Sequence, residues 1–539
     1  MRLIKPIYLS ATLALALASC GGTKTIITHN TPINNVDHLQ KRASALPEEQ
    51  LKRWSHLDIL TDSVPGMSVD KAYELLLKGK KLPKKVVVGV IDSGIEIDHD
   101  DLKSQVWTNP KEIAGNGIDD DNNGYIDDIH GWNFLGDAVH ENMELVRVIR
   151  RGDDGSEQYK RAVKELENEK KEIEESKVRL EMLQRANERV AKHLNKKDYT
   201  LADLDAIPTS APEEVLHSKN VMYNILKGGR ELSWLESFAN HINSKLQYHL
   251  NVDFNGRKLV GDDHTNINDT NYGNNNVLGP VRDEAKHGTH VAGIIAQTRG
   301  NNLGGDGVAS SVAEIMAVRA VPDGDEYDKD IALAIRYAAD NGAKVINGSF
   351  GKYYEENSAW VRDAIKYAES KDVLIVVAAG NDAKDLNKGK GVDRYPNDNI
   401  KMGAEIADNF LVVGALNPEY GEKMVATFSN YGHYDVDVFA PGVKIYATVP
   451  NNTYEYLQGT SMASPNVAGV AALVRAYYPQ FSAAQVKKII MDSGIAINQE
   501  VIVGETKEKR PFSSISTSGK IVNAYNALLL AEKLSKATK

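Results

Sequence analysis

The chain has 539 residues, of which 42% are hydrophobic and 26% charged, an ordinary composition for a folded protein and a generous length for one compact core. Its formal net charge of −10 argues against a basic nucleic-acid-binding surface, so no nucleic acid is expected as a partner. A single cysteine, Cys20, excludes an intrachain disulfide.

Arg2 and Lys5 precede an apolar run over residues 7–18. The run is too short to span a bilayer comfortably but suits the core of a signal peptide. It ends in Leu17-Ala18-Ser19-Cys20, which resembles the lipobox of bacterial lipoproteins. The resemblance implies a signal peptide over 1–19, cleavage before Cys20, and acyl chains on Cys20 that hold the exported protein to a membrane. Gly21 supplies no acidic inner-membrane retention signal, so the expected location is the bacterial cell envelope, at the outer membrane. A plain secretory signal whose cleavage site contains a cysteine is the alternative. Residues 20–52 are polar and read as a tether, with no folded pro-segment expected there. No later segment is apolar enough to cross a membrane.

Residues 84–91 form a nearly continuous β-branched run, the pattern of a strand buried on both faces of a parallel sheet. Similar runs recur at 344–347, 373–378 and 410–414, with helical patterns at 330–341 and 358–370 between them. This alternation predicts an α/β fold with helices on both faces of a parallel sheet. Two stretches break the rhythm. Residues 119–128 place oxygen-bearing side chains at alternating positions around Gly124, namely Asp119, Asp121, Asn123, Asp127 and Asp128. Hard oxygen ligands on a loop suit calcium, and a solvated acidic loop is the alternative. Residues 141–255 are dense in Glu, Lys and Arg, and Val163, Leu166, Ile173, Leu180, Leu183, Ala186, Val190 and Leu194 recur at helical steps. One or two long amphipathic helices are expected, as an insertion with a solvated face or a docking face for a protein partner.

Three stretches carry chemistry. Val90-Ile91-Asp92-Ser93-Gly94 puts an acid at the carboxyl end of a buried strand, where open α/β sheets form sites. His287-Gly288-Thr289-His290 opens a helix, and Gly459-Thr460-Ser461-Met462-Ala463-Ser464-Pro465 sets a serine at a helix N-terminus, where free amides favour developing negative charge. The order Asp, His, Ser, together with Ala426-Thr427-Phe428-Ser429, Asp437-Val438-Phe439-Ala440-Pro441-Gly442-Val443 and Ser518-Gly519-Lys520-Ile521-Val522-Asn523-Ala524, resembles the subtilisin-like serine proteases.

That resemblance covers about residues 53–140 and 256–530, and implies a catalytic domain in two parts, 53–140 and 256–539. It implies a serine endopeptidase acting on extended polypeptides without an organic cofactor. Ser461 would be the nucleophile, His287 the base, Asp92 its orienting acid and Asn381 an oxyanion donor. His290 is expected to be a packed core histidine. Ser349, Phe350 and Gly351 would pair with substrate, and Ala378, Ala379 and Gly380 would wall its main pocket. Asp101 falls where many of these proteins place a second calcium ligand, although the companion loop at 301–307 is short. A catalytically silent, membrane-tethered peptide-binding protein on the same fold is the competing reading.

Overall fold

The computed structural model describes residues 31–537 apart from 35, 37, 38, 40, 41, 43, 389–392, 401 and 402. The signal-like run over 1–19 and Cys20 lie outside the described residues. Among the described residues no helix is long and apolar enough to cross a membrane.

The centre is a nine-stranded sheet. Its first seven strands in chain order are β1 (Val86–Asp92), β2 (Gly131–Asn133), β3 (Ala313–Arg319), β4 (Val345–Gly348), β5 (Leu374–Ala378), β6 (Phe410–Leu416) and β7 (Val438–Pro441). A hairpin of β8 (Ile445–Val449) and β9 (Thr453–Leu457) follows, then β10 (Ile495–Ala496), a second hairpin of β11 (Glu500–Val503) and β12 (Glu508–Pro511), and β13 (Lys520–Ile521). The order across the sheet is β10-β13-β7-β6-β5-β4-β1-β3-β2, parallel throughout except at β10–β13. Strand order reverses around β1. Every residue of β4 to β7 is buried, which is why these strands read as unbroken apolar runs.

Helices cover both faces, as the alternation predicts. Between β2 and β3 lie α1 (Glu144–Arg150), α2 (Glu157–Leu194), α3 (Glu213–Lys227) and α4 (Trp234–Ser244), followed by α5 (Lys286–Ala296). Next come α6 (Asp328–Asp340), α7 (Ser358–Ser370) and α8 (Thr460–Tyr477). All of α8 from Met462 to Ala476 is buried, so it packs as a core helix rather than an amphipathic one.

The charged stretch is helical, with α2 one continuous element of 38 residues, about 57 Å long. Leu166, Ile173, Leu180, Leu183, Ala186 and Val190 are buried along it, but Ala162 rather than Val163 turns inward at its start. Leu166, Ile173 and Leu180 share a cluster with Ile242 and with Tyr354 of the sheet domain. Leu183, Ala186 and Val190 join a different cluster with Leu204, Val215, Met222 and Leu235, drawn entirely from this stretch.

The segment expected to be a tether departs from that expectation in its second half. Ile33 and Val36 are buried. The Ile33 amide donates to Asn526 Oδ1 at 2.8 Å, and Asn526 Nδ2 donates back to the Ile33 carbonyl at 2.9 Å. Two isolated apolar residues are too few to show periodicity, yet Asn526 seats the first through its backbone and the Tyr420 hydroxyl donates to the carbonyl of the second at 3.2 Å.

Candidate active site

The carboxyl ends of β1, β4 and β5 open into one cavity of about 490 Å³, lined by Asp92, His287, Ser349, Phe350, Gly351, Ala378, Gly380, Asn381 and Ser461 among others. Asp92 ends β1, and its side chain is almost fully buried. His287 stands in the first turn of α5. Gly288 allows this approach, since a Cβ there would lie 2.2 Å from the Gly94 carbonyl and 3.1 Å from Asp92 Cβ. The result is a hydrogen bond from His287 Nδ1 to Asp92 Oδ1 at 2.7 Å, while the Ser93 amide donates to the same oxygen at 2.8 Å. Burial disfavours charge on the imidazole, but the Asp92 charge and hydrogen bond outweigh it and hold the His287 pKa above its ordinary value. With Nδ1 donating, Nε2 is left as the proton acceptor.

His290, one turn further, has a different environment. Its Nε2 donates to the carbonyls of Ile445 and Glu455, each at 3.1 Å, and burial holds its pKa down to about 3. It is a neutral core residue.

Ser461 is the second residue of α8. Pro465, four residues on, has no N–H to give the Ser461 carbonyl. The Ser349 hydroxyl takes that place, donating to Ser461 O at 2.8 Å, and it also contacts Ser464 Oγ at 2.9 Å and accepts from Asn347 Nδ2 at 2.9 Å. Ser349 thus braces the turn that carries Ser461 with its side chain instead of reaching a ligand. Its carbonyl accepts the Ser461 hydroxyl at 3.1 Å.

Asn381 follows β5 through Gly380, whose φ of +102° and tight fit exclude a side chain: a Cβ would lie 2.4 Å from Asn430 Nδ2. Asn381 Oδ1 accepts from the Thr460 amide at 2.8 Å and the Thr460 hydroxyl at 2.9 Å. That fixes the amide plane and leaves Nδ2 as the end available to a ligand. Ala379, expected in the pocket wall, is instead fully buried in the hydrophobic core, because alternate residues leaving a strand point to opposite sides.

The Subtilase family profile matches residues 83–516, most of the chain. The chain belongs to the subtilase family. It is 43% identical over 189 residues to the thermophilic serine proteinase of Bacillus sp. (strain AK1), covering 35% of this chain and 42% of that protein. It is 38% identical over 225 residues to the M-protease of Shouchella clausii (strain KSM-K16), covering 42% and 53% respectively. Against subtilisin Savinase of Lederbergia lenta it is 37% identical over 225 residues, covering 42% of this subtilase and 76% of that one. The first two alignments therefore span about half the length of those relatives.

The acidic loop of this subtilase sorts its carboxylates into two kinds. Asp127 accepts from the amides of Gly115, Asn116 and Gly117, and buried Asp128 accepts from Asn109 and Asn123 side chains and the Tyr337 hydroxyl. The Asn123 side-chain oxygen accepts from the Tyr125 amide. These three expected ligands are committed to holding the loop. Asp119 and Asp121 accept backbone amides too, Asp119 from Asn123 and Gly124 and Asp121 from Asn123, but they also converge with Glu112, one oxygen of each lying within 4.8 Å of the others. Glu112 Oε2 is buried without a hydrogen-bond partner among the described residues. Glu112 lies outside the Asp-rich run, and spacing alone gave no sign of it. Asp101 Oδ1 accepts from the Thr298 amide at 3.0 Å and Asn301 Nδ2 at 2.6 Å, and Oδ2 from the Tyr454 hydroxyl at 3.4 Å.

Proposed function

We propose that this subtilase is a serine endopeptidase that hydrolyses extended polypeptides through an acyl-enzyme. The 2.7 Å Asp92–His287 hydrogen bond at the mouth of the cavity that also holds Ser461 and Asn381 carries this reading. The Ser461 hydroxyl, turned from the Ser349 carbonyl toward His287 Nε2, gives up its proton as Oγ bonds to the substrate carbonyl carbon. Asn381 Nδ2 and the Ser461 amide, at the positive end of α8, hold the oxygen on which charge develops. The imidazolium then protonates the departing amine as the C–N bond breaks, and water repeats the sequence to free the acid. Asp92 keeps the imidazole in the Nδ1–H tautomer and stabilises its charged form.

Glu112, Asp119 and Asp121 suit a structural calcium ion, which would neutralise their mutual repulsion and fix the loop between β1 and β2. The lipobox-like stretch supports an acylated Cys20 and a place at the bacterial outer membrane. The test of the catalytic reading is labelling by a fluorophosphonate. Wild-type protein should be labelled and should degrade an unfolded polypeptide, and Ser461→Ala should do neither. An unlabelled wild type that still binds peptide would favour the silent-protein reading.

A further inference from the structure

In the arrangement just proposed, the side chain on the acyl side of the scissile bond must enter between the segments that follow β4 and β5, where Phe350, Gly351, Ala378 and Gly380 line the cavity. Gly351 and Gly380 keep that slot open. Arg394 closes it, with Nη2 and Nε 3.1 and 3.2 Å from where a Cβ on Gly351 would stand.

Arg394 is only 7% exposed. Its Nη1 donates to the Pro396 carbonyl and its Nη2 to the Phe350 carbonyl, each at 2.9 Å, whereas its buried Nε has no partner among the described residues. Other buried cations here face carboxylates: Arg147 faces Glu144, Lys329 faces Asp262, and Lys352 faces Glu144 and Asp328. Arg319, a further cation lining the cavity, is saturated by the Ser93, Gly136 and Ala138 carbonyls and the Asn133 side chain. Burial holds the Arg394 pKa down to about 10, outweighing the carboxylates of Glu326, Asp435 and Asp398, which act on it only at a distance. A buried guanidinium without a close ion pair is costly, and a planar fork is the group best matched to a carboxylate.

The cavity's own acids do not cancel it. Asp323 accepts from His140 and His249, Asp325 from the Glu144 amide, and Asp382 from the Tyr353 hydroxyl. Burial pushes the Glu326 carboxyl up to about 7. We propose that Arg394 is a specificity-determining residue that selects Glu or Asp on the acyl side of the cleaved bond, which rests on the peptidase reading above.

The test is a series of peptides differing only at that position. Wild-type kcat/KM should be on the order of tenfold or more higher for Glu than for Gln, a ratio that added salt lowers. Arg394→Gln should bring the ratio near one, and Arg394→Lys should retain part of the preference. Wild-type preference for Leu or Phe, or for Arg in a manner abolished by Glu326→Gln, would overturn the selectivity and leave the hydrolase standing. Because the wild-type profile alone decides this, misfolding of a variant does not protect the idea. No cleavage of any peptide together with no fluorophosphonate label would overturn both.

Discussion

At the residue scale, the proposed mechanism needs His287 as a neutral imidazole, so activity should fall as pH drops through the His287 pKa, which lies above the ordinary 6.5. Asp92→Asn should move that limb to lower pH and reduce turnover by about 10⁴, read from a pH–rate profile. His290→Ala should lower stability without moving the limb, since His290 is already uncharged across the working range. Ser349→Ala is informative in another way: it strips the Ser461 carbonyl of its donor, costing about 1–3 kcal/mol, which a denaturant titration would detect. The meeting of Asp92 with His287, the place of Ser461 and Asn381 at the same cavity, and the different surroundings of His290 were legible because each sits in a short ordered motif. Arg394 was not, since residues 382–402 carry neither periodicity nor a recognisable motif. Nor was the convergence of Asp119 and Asp121 on Glu112, because spacing within the Asp-rich run cannot show which carboxylate from outside it folds back alongside.

At the scale of elements, α1 couples the helical stretch to the cleft. Glu144 is fully buried and pairs with Arg147 and Lys352. Arg147 in turn donates to the carbonyls of Asp325 and Glu326, and Lys352 to that of Glu326, which place two residues of the cavity lining. Burial opposes the Glu144 charge, yet Arg147 and Lys352 overcome it and hold its pKa at about 2. Its contribution to stability is therefore complete above the unfolded value of about 4.3 and lost as pH falls through about 2. Glu144→Gln should cost about 3–5 kcal/mol, because it leaves buried Arg147 without its carboxylate and Lys352 with Asp328 alone, and should lower kcat/KM by disturbing the wall. A variant as stable as wild type by thermal melting would refute the coupling. The sheet strands and most of the inward-facing residues of α2 were readable from periodicity, but the docking of α1 was not. It depends on long-range ion pairs that no local pattern encodes.

For the whole molecule, removal of divalent cations should lower the melting temperature by several degrees, and Glu112→Gln should reproduce most of that loss. If chelator leaves the melting curve unmoved, the three carboxylates are a solvated cluster. The parallel sheet was legible because burial on both faces writes itself as apolar runs. The docking of Ile33 and Val36 was not, because it rests on Asn526 and Tyr420, both several hundred residues away in the chain. The split interior of the helical stretch has a consequence of its own. The cluster around Leu183, Val190 and Met222 owes nothing to the sheet domain, so the outer half of α2 and the helices against it form a cantilever with private ballast. Such an outrigger can loosen, or be exchanged in evolution for one of different surface, while the sheet domain keeps its shape.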